Sequence, residues 1–459
     1  MALISSQFLN DPRLAQARDL VLSALADHQR QLTTCRAGDV TLVASAASQC
    51  LALGNERGGP LYYPYISSGL GNGALVELID GSIKYDFING IGAHFGHSLP
   101  ELMAATFDGW VSDTVMQGNL QQSGASAKLI HLLVEVSGLD HCFLTSSGAM
   151  AAENALKLAF QSKIPRRRVL AFEGCFMGRT IALASVTDKA AYRDGLPIVL
   201  DVDYVPFFSE SDPQGSTSRA VTALNLHLKR YPNDHAAMVF ELVQGEGGYY
   251  TAPRSFFVAL MDVLKAHDIA VIVDEIQTFG RLSRLFAFQH FELDEYVDIV
   301  TVGKITQVCA TLFRSRFKPR PGLISQTFTG SSTAIAAGIH IIQALINGNH
   351  FGSQGLNMML GAYFSGELAA LSREMPEKLS GPFGIGMMVA MTPLGGEPAL
   401  VKQFSIDLFN SGVIGFSAGG GPMRMRFLPP LGAVSRADID AVVKCIRNVL
   451  EQGEMSDVA

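Results

Sequence analysis

The sequence has 459 residues, of which 48% are hydrophobic and 17% charged, and its formal net charge is −7. This length and apolar content are typical of a large globular protein with a well-buried core and more than one lobe. The negative charge and the lack of a basic block exclude sequence-independent nucleic-acid binding, and no apolar stretch of about 20 residues predicts a membrane span.

The cysteines and the N-terminus both indicate a cytoplasmic protein. Six cysteines are scattered without a CxxC pair, which is typical of reduced thiols and predicts neither disulfides nor metal ligands. The chain begins with Met1 and soon reaches Asp11 and Arg13, without a charged region followed by an apolar one, so no signal peptide is expected.

In chain order, residues 1–75 are predicted to form a mixed N-terminal segment, and residues 75–87 alternate like a β-hairpin around Asp80-Gly81. Short apolar runs then alternate with helical patterns, as at 149–162, 254–267 and 331–347. Such buried strands between helices predict an α/β fold with a mostly parallel sheet covered on both faces, and ligands at the carboxyl ends of the strands. The runs lie at 141–145, 168–172, 236–242, 269–274 and 297–302.

These patterns divide the chain into three parts. Residues 1–75 are expected to contribute to a small lobe and to dimer contacts, and residues 76–335 to form the large ligand-binding domain. Residues 336–459 are predicted to form a smaller α+β C-terminal domain with short strands near 386–392 and 422–428.

Three predicted strand ends carry polar groups suited to a charged ligand. Ser147-Gly148 opens directly into a helix, whose free N–H groups and dipole favour phosphate, although Ser-Gly is also a common cap. Asp274 ends a buried strand and needs a cationic partner there; a capped strand end is the structural alternative. Lys304 follows the next strand, where desolvation lowers the pKa of a lysine and favours formation of a Schiff base. The structural alternative is a lysine whose side chain extends to the solvent.

A fourth strand end lies at residues 239–248. Glu241 and Glu246 stand five residues apart in a glycine-rich turn. By itself this segment fits a turn with solvated acids.

In order and spacing, these strand ends resemble those of the class III aminotransferases, a branch of the fold-type I pyridoxal-phosphate enzymes. The resemblance runs from about residue 80 to residue 450. Residues 241–248 resemble the family's acid-containing loop, and residues 274–277 its pyridine-binding signature. Residues 302–309, Val-Gly-Lys-Ile-Thr-Gln-Val-Cys, are similar to the lysine loop and most resemble lysine 6-aminotransferases.

The resemblance implies pyridoxal 5′-phosphate as the cofactor and a role for each matched residue. Lys304 would form the Schiff base and act as the base for the proton shift, and Asp274 would pair with the pyridine nitrogen. The other implied cofactor contacts are Gln277 at the ring 3-oxygen, Phe176 stacked on the ring, the N–H groups of Gly148 and Ala149 at the phosphate, and Thr327 at the phosphate of a neighbouring subunit.

The implied substrate contacts involve two arginines. Arg179 matches an arginine that binds the carboxylate of ω-amino acids, and a bidentate fork suits that. Arg426 matches the arginine for the α-carboxylate of the second substrate, with Glu246 masking it while the first substrate is bound; a surface arginine is the structural alternative. A homodimer with shared sites, or a tetramer that contains such dimers, is expected.

Four places depart from the family pattern. Met177 stands where His or Trp is usual in the family. The resemblance therefore does not fix the shape of the substrate pocket, which residues 60–75 also help to decide. Ser331-Ser332 replace Asn-Pro at the start of a helix, and Leu242 replaces a proline. The loop at 278–283 is one residue short. None of these changes removes a group that the chemistry requires.

The function expected from the resemblance is a ping-pong transamination. The amino group would move from the terminal amine of lysine, ornithine or a 4-aminobutyrate-like donor to a 2-oxo acid such as 2-oxoglutarate. A racemase, aminomutase or decarboxylase would use the same Lys304 and Asp274. A non-catalytic binding protein on the same scaffold is the remaining alternative, and the intact lysine and aspartate argue against it.

Overall fold

The computed structural model describes residues 3–113 and 116–452. The helices, in chain order, are α1 (Ile4–Leu9), α2 (Pro12–Gln29), α3 (Val43–Glu56), α4 (Asn89–Gly92), α5 (Pro100–Trp110), α6 (Gly124–Ser137), α7 (Gly148–Ser162), α8 (Ile181–Val186), α9 (Pro213–Arg230), α10 (Arg254–Ala266), α11 (Ala287–His290), α12 (Ser332–Asn347), α13 (Leu356–Glu374), α14 (Pro398–Asn410) and α15 (Arg436–Gln452).

The strands, in the same order, are β1 (Ser67–Asn72), β2 (Leu75–Leu78), β3 (Ile83–Asp86), β4 (Met116–Gln117), β5 (His141–Thr145), β6 (Arg168–Phe172), β7 (Asp201–Val205), β8 (His235–Glu241), β9 (Val243–Gln244), β10 (Tyr250–Thr251), β11 (Ala270–Asp274), β12 (Ile299–Val302), β13 (Cys309–Phe313), β14 (Gly330–Ser331), β15 (Leu379–Ile385), β16 (Met388–Pro393), β17 (Val413–Ile414), β18 (Phe416–Ala418) and β19 (Arg424–Phe427).

The chain folds into two compact units. The first comprises residues up to 112, 359–383 and from 387 onward, and the second comprises 113–358 with 384–386. These boundaries differ from the predicted ones, because residues 76–112 and the C-terminal region belong to the same unit. The reason is backbone pairing: β17 runs parallel to β3 and joins it to the sheet β1-β2-β3-β17.

The first unit contains the predicted hairpin and a second sheet. Strands β2 and β3 pair antiparallel, which confirms the hairpin around Asp80-Gly81. The second sheet has the order β15-β16-β19-β18, and its strands β16 and β19 correspond to the strands predicted near 386–392 and 422–428.

The second unit is built on a seven-stranded sheet with the order β5-β13-β12-β11-β8-β6-β7. Neighbouring strands from β12 through β7 are parallel, and only β13 runs against its neighbours β5 and β12. The sheet is therefore mostly parallel, as predicted. Five of its strands coincide with the apolar runs of the sequence, whereas β7 and β13 were not predicted.

Helix α7 packs on this sheet through a face of small residues. Ala151 and Ala155 are fully buried, and the Thr311 hydroxyl of β13 donates a 2.9 Å hydrogen bond to the carbonyl of Ala151. The small side chains allow this close approach. The N-terminus of α7 is thereby fixed beside the carboxyl end of β5.

Two general features bear on the sequence predictions. All six cysteines carry free thiols. Among the residues described, no helix combines the length and the hydropathy needed to cross a membrane.

Candidate active site

Two buried carboxylates lie at the carboxyl ends of neighbouring strands. Asp274 of β11 is in register with Glu241 of β8, and both side chains are less than a tenth exposed. Burial raises the pKa of Asp274 to about 6, while the Ile276 N–H and the charge of Lys304 act in the opposite direction. Burial, followed by the charge of Asp274, raises the pKa of Glu241 to about 8.

Glu241 is anchored by two backbone groups. Its Oε2 accepts a 3.0 Å hydrogen bond from the N–H of Phe176, and its Oε1 accepts a 2.8 Å bond from the N–H of Gly245. The carboxylate thus joins the loop after β6 to the turn after β8. It is not the solvated acid that this segment alone suggested.

The next residue, Glu275, supports the same strand end from the opposite side. It is fully buried, and its carboxylate accepts the N–H groups of Ala287 at 3.0 Å and Phe288 at 2.8 Å, together with the Thr278 hydroxyl. Burial raises the pKa of Glu275 to about 7. Glu275 therefore fixes the chain after Asp274 to the start of α11.

Lys304 follows the carboxyl end of β12, the strand beside β11. It is half-buried, and its charge acts on the Asp274 carboxyl. Its φ of 55° lies in the left-handed region, which is uncommon for residues other than glycine and is concentrated at functional sites.

Ile276 packs against both of the loops beside these charges. A Cβ on Gly148 would lie 3.1 Å from the Ile276 Cδ1, and a Cβ on Gly303 would lie 2.9 Å from the same atom and 2.7 Å from the Cys309 Sγ. The start of α7 and the residue before Lys304 therefore meet at one apolar side chain. Only glycine fits the Gly303 position without a shift of its neighbours.

Gln277 is the third polar residue of the strand end. It is 8% exposed, and a Cβ on Gly245 would lie 2.7 Å from its Cδ, Oε1 and Nε2 atoms. The glycine after Gln244 is therefore needed to make room for the Gln277 amide.

The loop before α7 has the features of an anion site. Ser147 is the N-cap, and its Oγ accepts a 3.2 Å bond from the N–H of Met150. The Gln326 Oε1 accepts the Thr145 hydroxyl at 2.7 Å and the Ser146 N–H at 3.4 Å. Within residues 3–113 and 116–452, the buried Gln326 Nε2 has no hydrogen-bond partner, which leaves a donor at this loop.

The loop after β6 brings an aromatic ring and an arginine to the same end of the sheet. Phe176 is half-buried and Arg179 is exposed. A Cβ on Gly178 would lie 3.3 Å from the Cβ of Ala149, so this loop touches the start of α7. Met177 points away into the core, where it is 2% exposed.

The remaining predicted residues lie in different places. Glu246 is half-buried in the turn between β9 and β10, and Thr327 is exposed just before β14. Arg426 lies on β19 of the first unit and is fully buried, which excludes the alternative of a surface arginine. Ser331 caps α12 by accepting a 3.1 Å bond from the Ala334 N–H, so the helix starts normally without the usual proline.

A family profile described as aminotransferase class-III matches residues 64–450. An acetylornithine aminotransferase of Methanocaldococcus jannaschii is 30% identical over 83% of this chain and 92% of its own length. The chain belongs to the class III aminotransferases.

Other class III aminotransferases show the same similarity. An L-lysine-epsilon aminotransferase of Mycobacterium tuberculosis is 29% identical over 72% of this chain and 77% of its own length. The solved lysine aminotransferase from M. tuberculosis in the internal aldimine form superposes with a TM-score of 0.75 at 25% identity, covering 83% of this chain and 93% of that one. The fold is therefore fold-type I, the enzyme is a transaminase, and its cofactor is pyridoxal phosphate.

The residues of this class III aminotransferase fit that cofactor. Asp274 is a buried carboxylate on which the charge of Lys304 acts, and it is suited to a cationic ring nitrogen. The start of α7 and the spare amide donor of Gln326 are suited to a phosphate. The site is thus formed by strand ends of a single sheet together with the loop that carries Gln326.

Sequence reasoning pointed to the strand end with Glu241 but gave this residue no role, and it missed Gln326. The signal for Glu241 was present, because two predicted neighbouring strands each end in an acid. Gln326 gave no signal, since its contacts with Thr145 and Ser146 span about 180 residues of sequence.

Proposed function

We propose that this class III enzyme transfers the terminal amine of an ω-amino acid or diamino acid to a 2-oxo acid such as 2-oxoglutarate, by a ping-pong mechanism. Arg179 carries the proposal: it is an exposed guanidinium beside Phe176 and suits a carboxylate remote from the reacting amine. The relatives support this class, since acetylornithine and lysine each carry a terminal amine.

Pyridoxal phosphate, when bound, supplies an electron sink for the carbon that loses its proton. In the proposed reaction Lys304 holds the cofactor covalently, and its freed Nζ then takes up the proton and returns it. The position of Lys304 suits this role, because it lies at a strand end close enough for its charge to act on the buried Asp274 carboxyl.

Asp274 would keep the pyridine nitrogen protonated, and Gln277 would donate a hydrogen bond to the ring oxygen. The N–H groups of Gly148 and Ala149 would bind the phosphate at the positive end of α7. Phe176 would cover the cofactor ring, since the Phe176 N–H donates a 3.0 Å hydrogen bond to the Glu241 carboxylate, which fixes the backbone of Phe176.

For the substrates, we assign the donor carboxylate to Arg179 and the α-carboxylate of the 2-oxo acid to Arg426. Glu246 would mask Arg426 during the first half-reaction. Arg426 is fully buried on β19, and the fork of a guanidinium suits bidentate binding of a carboxylate.

We further propose a cytoplasmic homodimer in which Thr327 reaches the phosphate of the partner subunit. Thr327 is exposed, and it neighbours an apolar surface formed by Leu120, Phe328 and Met116, which are 104%, 56% and 38% exposed. Such a surface is typical of a subunit interface. Sedimentation should give twice the 49.2 kDa chain mass; a monomer that retains full activity would contradict the shared site.

A donor screen tests the proposed reaction. The holoenzyme is incubated with 2-oxoglutarate and either L-lysine, L-ornithine, N-acetylornithine or 4-aminobutyrate, with L-alanine as the α-amine control. We expect glutamate to form with at least one terminal amine, and initial rates to give parallel double-reciprocal lines. No glutamate from any terminal amine, or racemised or decarboxylated product instead, would contradict the proposal.

A further inference from the structure

Arg179 and Lys189 share one aromatic ring, that of Tyr192. The Arg179 Cζ lies 3.9 Å from the centroid of the Tyr192 ring, and the Lys189 Nζ lies 4.5 Å from it. The Lys189 Nζ also donates a 3.2 Å hydrogen bond to the Tyr192 hydroxyl. We refer to these three residues with Phe176, whose ring meets Tyr192 edge-on at 6.1 Å, as the Tyr192 cluster.

In the part of the chain that the structure describes, neither cation of the Tyr192 cluster has an acidic partner. Across the described ranges, no carboxylate lies within ion-pair distance of Arg179 or of Lys189, whereas the neighbouring Arg193 lies 3.9 Å from Asp188. Two cations on one ring repel each other unless an anion lies between them. The Tyr192 cluster is therefore a preformed site for an anionic group.

The position of Tyr192 is fixed by bonds between two loops. The Thr187 hydroxyl accepts the Met177 N–H at 3.0 Å and donates to the carbonyl of Gly178 at 3.1 Å. The Asp188 N–H donates to the carbonyl of Cys175 at 3.0 Å. The loop that carries Lys189 and Tyr192 is thus tied to the loop that carries Phe176 and Arg179.

We propose that Tyr192 is a specificity-determining positioning residue, a role that rests on the ω-amino-acid donor proposed above. Its ring holds the Arg179 guanidinium and its hydroxyl holds the Lys189 ammonium, so that both face the donor carboxylate. Donors that carry this carboxylate gain affinity, while amines without it do not. Tyr192 itself takes no part in proton transfer.

Two substitutions separate the ring from the hydroxyl, and a third is a matched control. Tyr192→Leu removes the ring that holds Arg179, and Tyr192→Phe removes only the bond to Lys189. Tyr231→Leu removes an equally close stack, that of Arg168 at 3.7 Å, in which the arginine is paired with Asp203.

The experiment has a binding arm and a kinetic arm. Calorimetry measures glutarate binding to the holoenzyme, and steady-state kinetics compares 6-aminohexanoate with pentylamine, which lacks the carboxylate. We expect Tyr192→Leu to raise the glutarate Kd and the 6-aminohexanoate KM about fivefold, and Tyr192→Phe about twofold, at unchanged kcat. In both Tyr192 variants, the KM and kcat for pentylamine should stay at the wild-type level. In Tyr231→Leu, the glutarate Kd and the KM for 6-aminohexanoate should also equal those of the wild type.

The outcomes separate this role from the proposed function. If the wild type binds glutarate and Tyr192→Leu binds it equally well, or if both donors lose affinity alike, the role of Tyr192 is overturned while transamination stands. If no terminal amine yields glutamate but Tyr192→Leu still weakens glutarate binding, the anion site stands and the proposed function fails. Absence of glutarate binding to the wild type overturns the site.

Discussion

Asp274 and Glu241 stand in register on β11 and β8, and the charge of Asp274 acts on the Glu241 carboxyl. Burial raises the pKa of Asp274 to about 6 and that of Glu241 to about 8, and for Glu241 the repulsion from the Asp274 charge adds to the effect of burial. A cationic group bound at Asp274 would relieve part of this repulsion. The pair therefore couples cofactor binding to the protonation of a second acid.

Replacement of Asp274 tests its electrostatic role. Asp274→Asn keeps the shape but removes the charge, so we expect kcat to fall by about 100- to 1,000-fold and the cofactor to dissociate more readily. The control is Asp203→Asn, another buried carboxylate, whose partners are Arg168 and His235. Asp203→Asn should lose stability but keep the kcat of its folded fraction. Equal losses of kcat in the two variants would contradict the electrostatic role of Asp274.

The raised pKa of Glu241 predicts a pH-dependent stability. Because the folded pKa of about 8 exceeds the ordinary value of 4.5, the contribution is fully present below 4.5 and is lost as pH rises through 8. Between pH 7 and 8.5 the unfolding free energy of the cofactor-free protein should fall, by at most about 1.4 kcal/mol per pH unit.

Denaturant titrations at several pH values measure that slope. Glu241→Ala should be less stable overall, because it loses two hydrogen bonds, but its slope in this interval should be shallower. An unfolding free energy of the wild type that is constant or increases between pH 7 and 8.5 would contradict the raised pKa of Glu241.

The contact between Gly245 and Gln277 predicts a steric effect on the cofactor. A Cβ at Gly245 would approach the Gln277 amide to 2.7 Å, so Gly245→Ala should displace that side chain and weaken cofactor binding about tenfold. Gly124→Ala is the control, since a Cβ there meets nothing within 4 Å. Cofactor titration by fluorescence compares the two; unchanged affinity in Gly245→Ala would show that Gln277 is not needed.

The two serine caps allow helix stability to be separated from phosphate binding. Ser147 caps α7 and Ser123 caps α6, with hydrogen bonds of 3.2 and 3.3 Å. Each change to alanine should lower the unfolding free energy by about 1 kcal/mol. Only Ser147→Ala should also raise the dissociation constant of the cofactor, measured by dialysis; an equal rise in Ser123→Ala would refute the α7 site.

Much of the sheet was predictable because five of its seven strands are mostly apolar runs. Strands β5, β6, β8, β11 and β12 stand out as short apolar runs, and periodic helical patterns separate several of them. Strand β13 was missed because it continues directly from the lysine loop. Strand β7 was missed because Asp201 and Asp203 interrupt its apolar pattern, and Arg168 neutralises both.

The site was predictable where a strand end carries the chemistry, and unpredictable where tertiary contacts decide. Asp274 and Lys304 follow recognisable strands. The burial of Glu241 depends on N–H groups from Phe176 and Gly245, and the placement of Tyr192 depends on loop-to-loop bonds. No periodicity or spacing encodes either arrangement.

Identification of the lysine that bonds the cofactor tests the central proposal most directly. The holoenzyme is reduced with borohydride and digested, and mass spectrometry then locates the cofactor on the peptides, with Lys304→Ala and the exposed Lys157→Ala as the paired variants. We predict the label on Lys304 alone, its loss in Lys304→Ala and its retention in Lys157→Ala. A label on another lysine of the wild-type enzyme, or one that persists in Lys304→Ala, would contradict the proposal.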